Sequence, residues 1–297
     1  MWCTTQSFSM HELSPPIAVV CHDAGAANLM LAWLKAWGGP VRAYMQGPAK
    51  MLWQSAFPDT PICASLNEAL SGAANLVSGT GWASKLEHEA RMMAHAHGIH
   101  SVAVLDHWVN YPQRFERNGQ VQWPDELWVA DEYALHLAQA AFQNVLIRSF
   151  DNLYLKAQVA CVLPAPGQGT VLYVLEPVRQ TWGKDVEGEF QALDFALLHM
   201  DILCPDGVQQ IVLRPHPSEV ATKYRSYLGY NSRVRIDTSA DMAEAINQAD
   251  VVVGVESFAL TIALAAGRPV YSSLPPWAPT LRLPHVGIQQ IRHLKLL

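Results

Sequence analysis

Short runs of β-branched residues alternate along this chain with Ala- and Leu-rich stretches of helical composition. In the first half, the pattern predicts strands at 17–21, 75–78, 100–105 and 126–129 and helices at 26–37, 85–97 and 133–142. This alternation is typical of βαβ units, because two parallel strands need a crossover connection between them. The sequence therefore predicts an α/β protein built on parallel sheets.

The alternation restarts after LPAPGQG (163–169), a Pro- and Gly-containing stretch of the kind that joins domains. The second half predicts strands at 171–175, 210–214, 233–236, 251–255 and 269–272 and helices at 190–199, 240–249 and 258–266. We therefore predict two Rossmann-like, doubly wound domains, 1–165 and 166–297, that face a cleft. Ligands of such sheets bind beyond the carboxyl ends of the strands, so functional residues are expected there.

Composition excludes several classes of protein. Half of the residues are hydrophobic and 15% are charged, which excludes a disordered chain. The net charge of −6, with no block of basic residues, argues against a nucleic-acid partner. The five cysteines form no CxxC pair, so neither a disulfide framework nor a structural zinc site is indicated. With no signal-peptide pattern and no apolar run near ~18 residues, we expect a cytoplasmic protein.

Three further expectations concern metal binding and the C-terminal region. His95 and His97 are two positions apart on a predicted helix and point about 200° apart, so they do not share a metal ion with His100. Residues 281–297 are predicted to form a helix that packs back across the domains, with peripheral membrane contact as the alternative. Arg268 follows the glycine that ends helix 258–266 and is expected at the surface.

The first candidate site motif is CHDAGAAN (21–28), a strand followed by a turn of small residues and then a helix. The small residues allow close approach to the backbone, and a helix N-terminus favours an anion or an acidic side chain. His22 is a candidate acceptor or sugar contact, and Asp23 is a candidate catalytic residue. The alternative for Asp23 is a helix N-cap, with Gly25 as a turn glycine.

The second motif is VLDHWVNYPQRF (104–115), a polar and aromatic loop after a strand. Aromatic rings flanked by hydrogen-bonding groups suit sugar binding, so Asp106, His107, Trp108 and Arg114 are candidate contacts to the acceptor or sugar. Asp106 is an alternative base, and Arg114 suits a substrate carboxylate. The alternative is a loop that packs Trp108 into its domain. Further along, Asp131 is expected to cap a helix.

Two motifs in the second half follow strands. In VLRPHPSE (212–219), prolines hold His216 rigidly after a strand, which suits a proton donor or phosphate ligand near neutral pH. In DVVVGVESF (250–258), Ser257 and the following helix N-terminus form a phosphate cradle, and Glu256 suits sugar or ribose hydroxyls. The full set predicted to bind the donor nucleotide and phosphate is Arg214, Pro217, Gly254, Glu256 and Ser257. A structural turn at His216 and an ordinary Ser257 cap are the alternatives.

These two motifs together resemble the C-terminal half of GT-B glycosyltransferases, and more narrowly the bacterial sialyltransferase, polysialyltransferase and Kdo-transferase group. The resemblance implies that Asp23 is the general base, that His216 in the His-Pro dipeptide assists phosphate departure, and that Ser257 binds that phosphate. The acidic motif of the group is usually Asp/Glu-Asp/Glu-Gly, whereas this chain has His22-Asp23-Ala24-Gly25. CDP-glycerol-type transferases and UDP-N-acetylglucosamine 2-epimerases share this half-fold.

The resulting hypothesis is an inverting glycosyltransferase that moves an acidic sugar, a nonulosonate or Kdo, from a CMP-activated donor to a glycan or surface acceptor. The chain contains no DxD motif, so we expect no metal and no cofactor beyond the nucleotide sugar itself. The alternatives are a UDP-sugar 2-epimerase or hydrolase, a CDP-polyol phosphotransferase, and a nucleotide-sugar-binding protein without catalysis. The sequence leaves the oligomeric state open.

Overall fold

The structure, a computed structural model, describes residues 13–82, 84–204, 207–230 and 232–294. The chain divides into two compact units, Met1–Tyr154 and Leu155–Leu297, whereas the sequence prediction puts the boundary after residue 165. Each unit contains one parallel six-stranded sheet with helices between its strands. The fold class is therefore the predicted one, two successive Rossmann-like α/β domains.

The sheet of the first unit has the strand order β2-β1-β3-β4-β7-β8. Its strands are β1 (Ile17–Cys21), β2 (Val41–Met45), β3 (Asn75–Ser78), β4 (His100–Val104), β7 (Glu126–Val129) and β8 (Leu146–Ser149), and a small hairpin pairs β5 (Glu116–Arg117) with β6 (Gln120–Val121). The helices are α1 (Ala24–Trp37), α2 (Gly47–Ala56), α3 (Leu66–Leu70), α4 (Leu86–Ala96), α5 (Glu132–Ala141) and α6 (Leu153–Ala160), the last at the boundary between the units.

The sheet of the second unit has the order β11-β10-β9-β12-β13-β14. Its strands are β9 (Thr170–Val174), β10 (Gln210–Arg214), β11 (Val234–Ile236), β12 (Val251–Gly254), β13 (Val270–Ser272) and β14 (Ile288–Gln290). The helices are α7 (Gly188–Leu198), α8 (Arg225–Tyr230), α9 (Met242–Asn247) and α10 (Phe258–Ala265). No helix among the described residues is long and apolar enough to cross a membrane.

The central strands of both sheets are buried on both faces, as expected of parallel sheets covered by helices. Every residue of β1, β3, β7, β9 and β12 is buried. The sequence predicts all five of these strands, because a short, largely apolar run is the signal of a strand covered on both sides. The edge strands β2, β8 and β14 were missed, since their partly exposed residues form no such run.

The prediction of a C-terminal helix over residues 281–297 is wrong. Up to residue 294, the structure contains β14 and a 3-10 turn over Ile291–His293 instead. Pro284 and Gly287 interrupt the helical pattern, and Ile288 pairs in register with Val270 of β13. An unpaired sheet edge thus gains a strand from a segment whose composition alone favours a helix.

Arg268 was also predicted wrongly, because it is buried rather than exposed. Its Nε donates to the carbonyl of Ala249 at 2.8 Å, and an Nη donates to the carbonyl of Leu163 at 2.7 Å. The guanidinium therefore ties the segment that precedes β9 to the segment that precedes β12. A charged side chain after a helix-ending glycine usually faces solvent, and only the packing of these segments reveals this role.

Candidate functional site

The first unit brings its predicted site residues to the carboxyl ends of three adjacent strands, β1, β3 and β4. His22 and Asp23 follow β1, residues 79–81 follow β3, and Asp106 follows β4. Because the strands are parallel, these segments lie along one edge of the sheet. The three separate sequence signals therefore belong to one local cluster.

His22 and Asp23 form a hydrogen-bonded pair. His22 Nδ1 lies 2.6 Å from Oδ1 of Asp23, and Oδ2 of Asp23 accepts the backbone N–H of Trp82 at 3.1 Å. Asp23 occupies the N-cap position of α1, but its side chain makes no capping hydrogen bond. The capping alternative therefore does not account for its carboxylate, which is directed toward the ring of His22 and the turn after β3.

Three glycines make room for this cluster. A methyl group built on Gly81 would lie 2.0 Å from Oδ2 of Asp23, and one built on Gly25 would lie 2.0 Å from Oδ2 of Asp106. One built on Gly47, whose φ is +49°, would lie 2.5 Å from Nε2 of His22. Larger side chains at these three positions would collide with the candidate functional groups, and at Gly25 this gives the small-residue turn a physical reason.

Asp106 is paired with Arg114 inside the first unit. Arg114 is buried, and its Nη1 lies 2.8 Å from Oδ1 of Asp106 and donates to Oγ1 of Thr80 at 3.1 Å. Its Nε donates to the carbonyl of Val109 at 3.1 Å. The carboxylate that Arg114 meets within the fold is therefore Asp106, and its binding of a substrate carboxylate stays a prediction.

The aromatic loop after β4 is packed into the domain, as the structural alternative expects. Trp108 is buried, and its indole N–H donates to Asp131 at 2.9 Å. Asp131 also accepts the backbone N–H of Ala134 at 2.7 Å, which confirms it as the cap of α5. The His107 Nδ1 accepts the backbone N–H of Trp108 at 3.0 Å. Sugar contacts of His107 and Trp108 stay predictions.

Glu87 is a buried acid on α4 beside this cluster, and it is not among the site residues that the sequence predicts. Its Oε1 accepts the backbone N–H of His22 at 2.7 Å, and its Oε2 has no hydrogen-bond partner among the described residues. Burial raises the pKa of Glu87, and the nearby charge of Asp23 raises it further. Burial also raises the pKa of Cys21, and the charges of Glu87, Asp106 and Asp23 add to that rise. The turn after β1 is therefore surrounded by carboxyl groups.

In the second unit, His216 lies in the loop after β10. Its Nδ1 accepts the backbone N–H of Ser218 at 3.2 Å and lies 2.7 Å from the Ser218 hydroxyl. Because Nδ1 is an acceptor, the neutral ring carries its proton on Nε2. Burial lowers the pKa of His216, although the charge of Glu219 opposes this. Pro217 follows directly, so the loop offers a fixed imidazole N–H at a strand end.

Arg214, the last residue of β10, is held by other parts of the second unit. Its Nη1 pairs with Asp237 and also donates to the carbonyl of Ser239 at 3.2 Å. Against the effect of burial, the two hydrogen bonds from Ser239 and then the guanidinium of Arg214 lower the pKa of Asp237. Arg214 therefore anchors the segment after β11, and its contact with a donor phosphate stays a prediction.

Glu256 follows β12 and makes an ion pair with Arg282. The Oε2 of Glu256 lies 2.6 Å from an Nη of Arg282, and its Oε1 accepts the backbone N–H of Arg282 at 2.6 Å. The backbone N–H of Glu256 donates to Oε1 of Glu176 at 3.0 Å. Glu176 lies two residues after Val174, the last residue of β9. Burial raises the pKa of Glu176 to about 7. Glu176 is not among the predicted site residues, although its position directly after the predicted strand 171–175 was a usable signal.

Ser257 caps helix α10, because its hydroxyl accepts the backbone N–H of Ala259 at 3.2 Å. Gly254 lies within the sheet, where a methyl group would come within 2.6 Å of Cγ2 of Val174. That glycine is required by close packing of β12 against β9. The N-terminus of α10 presents its positive dipole end at the same sheet edge as the His216 loop, because β9, β10 and β12 are parallel neighbours.

The two units thus offer different chemistry. The first has carboxylates and an imidazole suited to accepting a proton, and the second has an imidazole N–H and a helix N-terminus suited to an anionic phosphate. Glu176 is partly protonated near neutral pH, which reduces repulsion of an anion at that edge. Within the described part of the chain, no cluster of three or more His, Cys, Asp or Glu side chains is placed to hold a metal ion.

Comparison with known proteins shows the fold. No family model and no curated protein sequence matches the chain. A putative UDP-N-acetylglucosamine 2-epimerase from Listeria monocytogenes is similar in structure, with a TM-score of 0.54 and 13% identity over 86% of this chain and 79% of that one. The glycotransferase of kitacinnamycin has a TM-score of 0.49 and 13% identity, over 90% of this chain and 81% of that one. At this identity, the likeness to the Listeria protein establishes the two-domain fold of the GT-B type and no activity.

Proposed function

We propose that this protein is an inverting glycosyltransferase that needs no metal and moves an acidic sugar of the nonulosonate or Kdo type from a CMP-activated donor to a glycan or surface acceptor. The second unit binds the donor phosphate, and the first supplies the base that removes the acceptor proton. The fold shared with the Listeria protein supports a nucleotide-sugar enzyme. The choice of CMP and of an acidic sugar rests on the His-Pro and Ser motifs of the sequence.

The observation that carries the proposal is the geometry of His216. The amide of Ser218 fixes its Nδ1 as an acceptor, so Nε2–H is the group available to a departing phosphate. Ser257 and the N-terminus of α10 bind that phosphate at the same edge of the sheet. A donor hydrogen bond or proton at this position stabilises the negative charge that develops as the sugar–phosphate bond breaks.

A thermal-shift panel of CMP, CDP, UMP and UDP tests the nucleotide assignment. Bound ligand raises the melting temperature by mass action, so CMP or CDP should stabilise the protein most. Selective stabilisation by UDP would instead favour the UDP-sugar 2-epimerase or hydrolase. A CDP-polyol phosphotransferase is recognised by turnover of a CDP-linked polyol rather than a CMP-linked sugar. Nucleotide binding without donor turnover would indicate a binding protein and contradict the proposal.

Substituting His216 tests the mechanism. His216→Ala should lower release of CMP from CMP-N-acetylneuraminate by about 10²–10⁴-fold, the usual contribution of a positioned proton donor. His136→Ala is the matched control, because it removes an exposed imidazole from α5 in the first unit. Near wild-type turnover by His216→Ala, with its melting temperature unchanged, would overturn the assignment.

A further inference from the structure

The turn that carries His216 is anchored by Glu219, three residues further along the chain. The backbone N–H of Glu219 donates to the carbonyl of His216 at 2.9 Å, so the two residues belong to one turn. The side chain of Glu219 is only 3% exposed, and its Oε2 accepts the hydroxyl hydrogen of Tyr224 at 2.8 Å. Tyr224 is buried in the hydrophobic core of the second unit. A carboxylate therefore attaches the His216 turn to that core.

Glu219 also belongs to a closed charge cluster of Arg179, Glu189, Glu219 and Lys223. Its Oε1 accepts from Nη2 of Arg179 at 3.1 Å and from Nζ of Lys223 at 2.7 Å. The same two cations meet Glu189 on α7, where Nη1 of Arg179 donates to Oε1 at 3.1 Å and Lys223 donates to the same oxygen. The cluster thus joins the loop after β9, helix α7 and the 3-10 turn Ala221–Tyr224 to the His216 turn.

Stability alone does not account for this charge cluster. Burying a carboxylate costs free energy, and apolar residues of similar volume often stabilise a protein as well as a buried ion pair does. The cluster also leaves Oε2 of Glu189 buried without a hydrogen-bond partner among the described residues. What the cluster provides is geometry, because each carboxylate is held by both cations. The segment that it fixes most directly is the turn of Glu219 and His216.

Glu219 acts on His216 through its charge as well. Burial lowers the pKa of His216, whereas the charge of Glu219 raises it. Against the effect of burial, hydrogen bonds from Lys223 and Tyr224 lower the pKa of Glu219, and the charges of the two cations act in the same direction. Glu219 is therefore ionised near neutral pH, and its charge favours the protonated form of the imidazole.

We propose that Glu219 is the positioning residue of His216, because its clamped carboxylate fixes the turn and keeps the imidazole a donor to the departing phosphate. This inference rests on the proposed transfer reaction and adds a residue that is not among the predicted site residues. Glu219 acts only through His216. The Nε2 hydrogen of His216 meets the phosphate oxygen on which charge develops, so both the orientation and the basicity of the imidazole affect the rate.

The titration of His216 tests this role directly. NMR of the imidazole hydrogens measures its pKa, and the loss of a signal in His216→Ala identifies it. In Glu219→Gln this pKa should fall, because the negative charge beside the imidazole is gone. Glu219→Asp keeps the charge and should recover most of the difference. An unchanged pKa of His216 in Glu219→Gln would overturn the proposal.

Glu189→Gln is the matched control, because it makes the same substitution in the same charge cluster but on α7. Glu187, the other acid beside Arg179, at 3.9 Å, is left in place. Both variants should melt at a lower temperature than wild type. Only Glu219→Gln should lower the His216 pKa, and its kcat for CMP release from CMP-N-acetylneuraminate should fall by about tenfold or more while KM changes less. Equal effects of the two variants on titration and kcat would show a purely structural cluster and refute the proposal.

A charge-balanced pair of variants serves if Glu219→Gln does not fold. Glu219→Gln/Lys223→Met removes one charge of each sign, and its reference is Lys223→Met alone. The double variant should have the lower His216 pKa of the two, and equal values would overturn the role of Glu219. If Glu219→Gln instead turns over the donor as fast as wild type, this inference fails and the transferase function stands. If wild type releases no CMP, the proposed function fails, and the role of Glu219 in transfer fails with it.

Discussion

Individual glycines in the first unit determine where its functional groups lie. Gly25 and Gly81 each face a carboxylate oxygen at a distance that leaves no space for a methyl group. The sequence predicts close approach to the backbone at the small-residue turn 21–28, and the carboxylate of Asp106 does approach Gly25 there. The sequence does not identify Asp106 as the group that approaches Gly25, because the two residues lie on different strand ends.

At this scale, we expect Gly81→Ala to affect activity more than stability. The added methyl meets Oδ2 of Asp23, the end of a flexible side chain, so the carboxylate moves at modest energetic cost. Displacing a positioned group by about 1 Å can cost about 100-fold in rate, so kcat should fall on that order. Gly229→Ala is the control, because nothing lies within 4 Å of its added methyl. Equal kcat in both variants, with equal melting temperatures, would contradict the positioning role.

A second residue-scale prediction concerns pH. The pKa of Glu176 is raised from 4.5 to about 7, so the folded state holds a proton there that the unfolded chain releases. This contribution to stability is complete below pH 4.5, decreases as the pH rises, and is lost above about pH 7. Glu176→Gln should therefore flatten the pH dependence of the unfolding free energy across this window and raise stability above pH 7.

Chemical denaturation at a series of pH values measures this effect, with Glu116→Gln as a control at an exposed position. Gln retains the oxygen that accepts the amide of Glu256, so the loop geometry is preserved. A parallel downward shift of the whole pH curve, rather than a flattening between pH 4.5 and 7, would show that the contribution of Glu176 does not depend on its protonation and would contradict this prediction.

The segment before β9 is held by two side chains, Asp250 directly before β12 and Arg268 between α10 and β13. Asp250 accepts the backbone N–H groups of Gly167, Gln168 and Thr170 at 2.6, 2.9 and 2.9 Å. These hydrogen bonds lower the pKa of Asp250. The sequence marks 163–169 as a linker, whereas the structure binds it tightly to the second unit through Asp250 and Arg268.

We therefore expect Asp250→Ala to destabilise the protein by about 1–3 kcal/mol, since it leaves several amides without their charged acceptor. The stabilising contribution of Asp250 is present above its ordinary pKa of 3.8 and is lost as the pH falls further. The difference between wild type and variant should therefore shrink in acid. Urea unfolding measures it, with the exposed Asp185→Ala as control. Equal stability of wild type and Asp250→Ala at pH 7 would refute this role.

At the scale of the whole molecule, each unit has its own sheet and its own hydrophobic core. The core clusters around β1 and β3 contain residues of the first unit only, and those around β9 and β12 contain residues of the second only. A domain with its own sheet and core is able to fold independently. The two units should therefore be separable.

We expect residues 155–297, produced alone, to unfold cooperatively and to keep the nucleotide-dependent rise in melting temperature. The same fragment carrying His216→Ala should lose part of that rise, because the phosphate contact is removed. Donor turnover should be absent from the fragment, since the proposed base lies in the first unit. A fragment that folds but does not respond to any nucleotide that protects the full chain would contradict the assignment of donor binding to the second unit.

The sequence by itself determined the α/β class, the central strands and the strand-end positions of His22, Asp23, Asp106, His216 and Ser257. It did so because fully buried strands are continuous apolar runs, and parallel sheets place ligand-binding residues after them. Only the tertiary structure decided which partner each side chain meets: Asp23 with His22, Arg114 with Asp106, and Glu256 with Arg282. The edge strands, the buried Arg268 and the strand in place of a C-terminal helix also depend on contacts between segments far apart in sequence. Local periodicity carries no information about such contacts, whereas the packed fold specifies each of them.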